Sequence, residues 1–323
     1  MRSFLFVFTL LFATNLFARD QIKIVGSSTV YPFATTVAER FGKTSGFKTP
    51  VVESTGSGGG LKLFCAGLGT EHPDITNASR RIKKSEINNC KKNGIEDITE
   101  VKIGYDGIVV ANSKKGVDFH LSTRDLYLAL AKEVPADIEG KTLKPNPYKR
   151  WIEINPTYPD LPIVVYGPPP TSGTRDALNE LAIERGCKSY PERKKLKEKN
   201  KKLYKVLCRS IRTDGPYIEA GENDNLIIEK LLTNPNSLGI FGYSFLDENR
   251  DKVKAATVNG VLPDFELISN GTYPVSRSLW FYVKDAHAAV IPGIKEYVKE
   301  FTSERAIGDD GYLIQKGLIP LND

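Results

Sequence analysis

Histidine is scarce in this sequence: three in 323 residues, at positions 72, 120 and 287, none beside another histidine or a cysteine pair. That distribution speaks against a zinc enzyme. Four cysteines are too few for a disulfide-dense mini-scaffold, and none stands in a C-x-x-C pair, so zinc-finger and thioredoxin chemistry are also disfavoured. No run reaches the roughly 20 apolar residues of a transmembrane helix. The nucleotide P-loop is absent, because no Gly-Lys-Ser/Thr follows a glycine-rich turn. Gly56-Ser57-Gly58-Gly59-Gly60-Leu61 breaks the dinucleotide fingerprint at its last glycine, and no G-x-S-x-G nucleophile elbow occurs. What is not lacking is core material. At 40% hydrophobic and 26% charged, the chain suits one large or two medium domains rather than a disordered protein.

Residues 1–18 form a separate object. Arg2 gives a positive start, residues 4–11 (FLFVFTLL) an apolar run, and Leu16-Phe17-Ala18 a small-residue end. This is the pattern of a secretory signal peptide cleaved after Ala18; a retained membrane anchor is the alternative. In an oxidising compartment Cys65, Cys90, Cys187 and Cys208 allow three pairings. Neighbour pairing, Cys65–Cys90 and Cys187–Cys208, closes two short loops, and four buried free thiols are the other possibility. The second loop holds nine Lys or Arg against two Glu. It reads as a solvated helix or loop rather than a nucleic-acid patch, since few aromatics interleave.

Short strands alternate with amphipathic helices. Ile22, Ile24 and Val25 predict a first strand. Pro32 opens a helix on which Phe33, Val37 and Phe41 recur every four residues. Val51-Val52-Glu53, 107–111, 163–166 and 279–283 predict further strands, and Ile294, Tyr297, Val298 and Phe301 a late helix. Such alternation indicates an α/β fold with largely parallel sheets.

Four turns rich in hydroxyls and glycine stand out: Gly26-Ser27-Ser28-Thr29, residues 54–60, Asn77-Ala78-Ser79-Arg80 and Thr171-Ser172-Gly173-Thr174-Arg175. Each can serve as an ordinary helix cap. Together they can aim amides, hydroxyls and guanidinium groups at an oxyanion. No histidine forms an evident constellation with Ser and Asp, and no carboxylate spacing marks an acid–base pair. Donors without a nucleophile favour binding over catalysis, and no cofactor is implied. A secreted phosphatase or serine hydrolase using Ser57 or Ser172 is the enzyme alternative. A surface adhesin or sensor contacting partners through the lysine run is another.

These turns, with residues 25–32, Asp74-Ile75-Thr76, Tyr105-Asp106-Gly107-Ile108, residues 234–243 and Tyr273-Pro274-Val275-Ser276-Arg277, fall in one order along the chain. In that order the sequence resembles the periplasmic phosphate-binding proteins of ABC-type phosphate uptake. The resemblance implies a two-domain type II clamshell with two hinge crossovers. Its first domain would be 20–104 plus 274–323 and its second 105–273. It further implies a monomeric periplasmic protein that binds inorganic phosphate, hands it to an inner-membrane ABC permease and does not touch nucleic acid. Carried over, Ser28, Thr29, the Val30 amide and Ser57 would meet the anion from the first domain, with Ser79 and Arg80, the latter as charge partner. Ser172, Gly173, Thr174 and Arg175 would meet it from the second. Some relatives have Asp where this chain has Arg80, so the carboxylate that accepts the phosphate proton must lie elsewhere. Asp106 at the crossover is the candidate, ahead of Asp74 and Asp176. Sulfate or another oxyanion in the same fold is the alternative ligand.

Overall fold

The computed structural model describes residues 19–170, 172–221 and 224–321. The leader expected at 1–18 and Thr171 of the fourth turn lie outside the described residues. The chain begins β1 (Lys23–Gly26), α1 (Tyr31–Thr44), β2 (Val51–Ser54), α2 (Ser57–Phe64), β3 (Ile75–Ala78) and α3 (Lys84–Lys92). Pro32 fits the first turn of α1, and Phe33, Val37 and Phe41 are buried along one stripe. β1 pairs in parallel with β2 on one side and β3 on the other. Glycine sets how closely these layers approach. A Cβ on Gly60 would lie 2.5 Å from the Gly26 Cα, and one on Gly26 (φ +135°) would lie 2.1 Å from the Asn77 carbonyl oxygen. Helix α2 can therefore rest directly on β1.

β4 (Ile98–Ser113) then runs for 16 residues and belongs to both halves of the molecule. Beyond it come β5 (Val165–Gly167), α4 (Gly173–Leu178), α5 (Pro191–Lys199), α6 (Lys201–Arg209), β6 (Tyr217–Glu219), α7 (Asp224–Thr233), β7 (Leu238–Gly242), β8 (Val253–Ala255), β9 (Ser276–Lys284) and α8 (Ile294–Phe301). The sheet order is β2-β1-β3-β9-β4-β7-β5-β6, with β8 also on β4. β9 pairs antiparallel with the first part of β4, from Ser276↔Gly107 to Lys284↔Ile98. β7 pairs antiparallel with the rest of it, Gly242 opposite Ile108. The parallel pattern read from the sequence holds at both flanks, but the centre is antiparallel. The reason is connectivity: β4 leaves the first lobe and β9 returns to it, so the two run in opposite directions.

The apolar core divides at that junction. One cluster is drawn from 22–103 and 279–318 and includes Phe41, Ile103, Phe281, Tyr297 and Phe301. Another is drawn from 108–275, with Tyr127, Trp151, Phe241 and Tyr273, plus Ile319. Ile319 exchanges backbone hydrogen bonds with Tyr105 at 2.8 and 3.0 Å, which adds a third segment to the junction. This is a two-lobed α/β clamshell.

Cys65 is bonded to Cys90 and Cys187 to Cys208. Each closes a loop of a length worth about 3 kcal/mol on the chain-entropy account. The second ties together the base of the α5–α6 hairpin. Among the described residues no helix is long and apolar enough to cross a membrane.

Candidate functional site

The ends of β1, β2 and β3 carry three of the four donor turns, and the junction of β4 and β9 lies beside them. In the first turn, just ahead of α1, the Ser27 hydroxyl accepts the amides of Thr29 (3.2 Å) and Val30 (3.4 Å). The Val30 amide is thus turned toward Ser27, while Ser28 and the buried Thr29 sit at the head of the helix. In the second, Gly56 (φ +73°) sets up α2. Ser57 Oγ accepts the Ser79 amide at 3.0 Å and lies 3.1 Å from Ser79 Oγ, so the second and third turns are joined.

Arg277 gathers these turns. It stands opposite Asp106 in the β9–β4 register, with Nε 3.3 Å from Asp106 Oδ2. Its Nη2 donates to Thr29 Oγ1, and its Nη1 lies 3.3 Å from Ser79 Oγ and 3.4 Å from Glu180 Oε2. Its side chain is 7% exposed. One guanidinium therefore touches the first turn, the third turn, the crossover strand and the second lobe. Burial pushes the Asp106 carboxyl above its ordinary value, with Arg277 pulling the other way.

Arg80 is placed differently. Its fork is held by Glu86, Nη1 to Oε2 at 2.9 Å and Nη2 to Oε1 at 2.7 Å. Glu86 also accepts the Lys83 amide at the start of α3. Burial alone would raise Glu86, but Arg80 and that amide bring it below its ordinary value. Arg80 thus borders the site beside Ser79 with its charge compensated. Asp74 is fully buried behind β3, accepting the Lys23 amide (2.7 Å) and lying 2.7 Å from His287 Nδ1. Asp176 is exposed. Neither reaches the Arg277 cluster. His287 is buried in this network.

From the second lobe, Ser172 caps α4, its Oγ accepting the Thr174 amide at 3.2 Å. Arg175 is buried, donates to the Pro168 carbonyl at 3.0 Å and stacks on Tyr217 with its guanidinium carbon 4.4 Å from the ring centroid. It braces the 168–170 segment. Gly173 marks where the lobes meet: a Cβ there would lie 3.1 Å from the Ser28 carbonyl oxygen and 3.3 Å from the Thr29 Cα. The two turns face each other across a closed cleft. Gly173→Ala should therefore weaken ligand binding several-fold by propping the lobes apart. Its ligand-free unfolding should stay within about 1 kcal/mol of the parent, since Ala favours a helix over Gly. Calorimetry beside urea unfolding checks both halves; equal affinity would place the closing contact elsewhere.

Three site residues had no role in the sequence reading: Arg277, Glu180 and Asp224. The available signal was a charged residue beside a crossover, which Arg277 supplies in the Tyr273–Arg277 segment. Asp224 begins α7, is buried, and accepts the Gly242 amide at 3.0 Å. Burial pushes its carboxyl up to about 6, against that amide and with help from the charge of Asp106. Because the folded value exceeds the unfolded one, the folded state holds the extra proton, and stability should fall as pH rises from about 4 to about 6. Asp224→Asn should remove that slope and leave the protein about 1–3 kcal/mol more stable near pH 7. Urea unfolding across this range checks it; an unchanged slope would show that Asp224 ionises freely.

A family model for a PBP superfamily domain matches residues 13–305. Protein SphX of Synechococcus elongatus is 34% identical over 286 residues, covering 87% of this chain and 72% of that protein. Phosphate-binding protein PstS of Staphylococcus saprophyticus is 27% identical over 285 residues, covering 86% and 75%. A solved structure described as a possible phosphate binding protein from Planctomyces limnophilus superposes with a TM-score of 0.71 at 27% identity, covering 94% of this chain and 93% of that one.

Proposed function

This chain belongs to the PBP superfamily, and from that premise we propose that it captures inorganic phosphate in the cleft between its lobes and delivers it to an ABC permease. The observation that carries the reading is the Arg277 cluster: one buried guanidinium with two hydroxyls and two carboxylates, Asp106 and Glu180, around it, where the two lobes close. A guanidinium fork suits two phosphate oxygens. Ser28, Thr29, Ser57 and Ser79 supply donors from one lobe, and Ser172, Gly173 and Thr174 from the other. Arg80 contributes from the border, and Arg175 holds the 168–170 segment in place. Asp106, whose Oδ2 faces Arg277, accepts the phosphate proton. The lobes divide at 104/105 and 273/274, where β4 and β9 cross. Residues 1–18 export the chain, and it works in the periplasm as a monomer.

The reaction is binding without chemistry. Ser57 Oγ meets Ser79, and Ser172 Oγ meets the Thr174 amide; among the described residues neither has a recorded hydrogen bond to a base. Calorimetric titration of ligand-stripped protein with phosphate, repeated in excess sulfate, tests the proposal. Tight one-to-one binding that survives sulfate supports it. No binding, or ready displacement by sulfate, overturns the choice of ligand.

A further inference from the structure

The phosphate reading leaves the lysine-rich hairpin without a task. Helices α5 and α6 pack together over the Cys187–Cys208 bridge. The inner charges are engaged: buried Arg193 donates to the Lys141 carbonyl at 3.0 Å, and Glu184 holds Lys197 at 2.6 Å together with Arg209. Lys195 pairs with Glu192 along α5. The outer face is different. Lys188, Lys194, Lys199, Lys201, Lys202 and Lys205 are exposed and form no salt bridge among the described residues.

Apolar residues stand among these lysines. On α6, Tyr204 and Cys208 point inward, four residues apart. Lys202, Leu203 and Val206 share the outward face, with Leu203 44% and Val206 58% exposed. Exposed aliphatic side chains set among lysines suit a surface that is anionic outside and apolar just beneath.

We propose that the outer face of the α5–α6 hairpin docks on an anionic phospholipid surface, holding the carrier beside the membrane. The lysines meet lipid phosphates as point charges while Leu203 and Val206 enter the headgroup layer. The only aromatic ring on α6, that of Tyr204, is buried, so the face offers no stacking platform for nucleic-acid bases. Its basic side chains are lysines rather than the arginine forks and aromatics that anchor protein interfaces. The disulfide and the Glu184 clamp fix the hairpin beforehand, which lowers the ordering cost of docking.

The test is flotation of the purified protein with phosphatidylcholine vesicles and with vesicles containing about one-quarter phosphatidylglycerol, at roughly 0.1 M salt. Binding to the anionic vesicles alone is expected. Each lysine near such a surface is worth roughly fivefold. The variant K199Q/K201Q/K202Q/K205Q should therefore bind at least about tenfold more weakly, and L203S/V206S several-fold more weakly. Unchanged unfolding curves would show that both variants fold, and phosphate titration separates this surface from the cleft. Loss of lipid binding with phosphate affinity intact supports the proposal, and a failed phosphate assay in the parent does not bear on it. No binding to anionic vesicles, equal binding to both kinds, or a quadruple variant that binds like the parent overturns it. The first of these outcomes would leave an acidic protein as the partner to seek.

Discussion

Arg277→Ala is expected to weaken phosphate binding by about a hundredfold or more, because it removes at least two charged hydrogen bonds of about 1.5–3 kcal/mol each. No other described side chain links Thr29, Ser79, Asp106 and Glu180. The substitution also strips Asp106 of its counter-charge, and losing one partner of a buried pair costs about 3–5 kcal/mol of stability. Arg277→Lys separates the two effects. It keeps the positive charge beside Asp106 and loses the planar fork, so the protein should fold and still bind at least about tenfold more weakly. Arg80→Ala should cost less, under about tenfold, since Glu86 already holds its guanidinium. Calorimetry on the three variants checks the order. A larger loss at Arg80 than at Arg277 would move the anion outward along the third turn.

Asp106→Asn should abolish discrimination against sulfate while leaving an oxyanion site. Near neutral pH hydrogen phosphate keeps a proton to donate and sulfate has none. A buried carboxylate accepts that proton's hydrogen bond but repels fully ionised sulfate. The charged hydrogen bond that phosphate makes and sulfate cannot is worth about 1.5–3 kcal/mol, so removing the carboxylate should shift the phosphate-to-sulfate preference by roughly tenfold to a hundredfold. The Asn amide keeps an oxygen for the Arg277 Nε, which limits collateral damage. Displacement of bound phosphate by graded sulfate reads the effect. A variant that rejects sulfate as well as the parent does would transfer the acceptor role, with Asp224, which already feels the charge of Asp106, the next to examine.

The elements were more legible in the sequence than their meeting point. Phe33, Val37 and Phe41 announce α1 by spacing alone, and Pro32 announces its start. The donor turns are visible because serine, threonine and glycine cluster where a strand gives way to a helix. Arg277 was not legible as the hub. Its partner Asp106 lies 171 residues earlier, and only the antiparallel register of two crossover strands sets them opposite each other. The sequence shows strands alternating with helices and so suggests parallel pairing; it does not show that β4 and β9 run between lobes in opposite directions. Arg80 illustrates the converse. It sits in a donor turn with the right chemistry, yet Glu86, six residues on, takes its fork at the first turn of α3. Local spacing reveals which groups are donors. Long-range pairing decides which donor is left to face a ligand.

The most direct measurement is a crystal structure of the protein grown with phosphate, with the anion placed by its own density. The account predicts one phosphate between the Thr29, Ser57 and Ser79 turns and the Ser172–Thr174 turn, with two oxygens on Arg277 and a third within hydrogen-bond distance of an Asp106 carboxylate oxygen. A phosphate held by Arg80 or Arg175 without Arg277, or a closed cleft with no anion in it, would contradict the account.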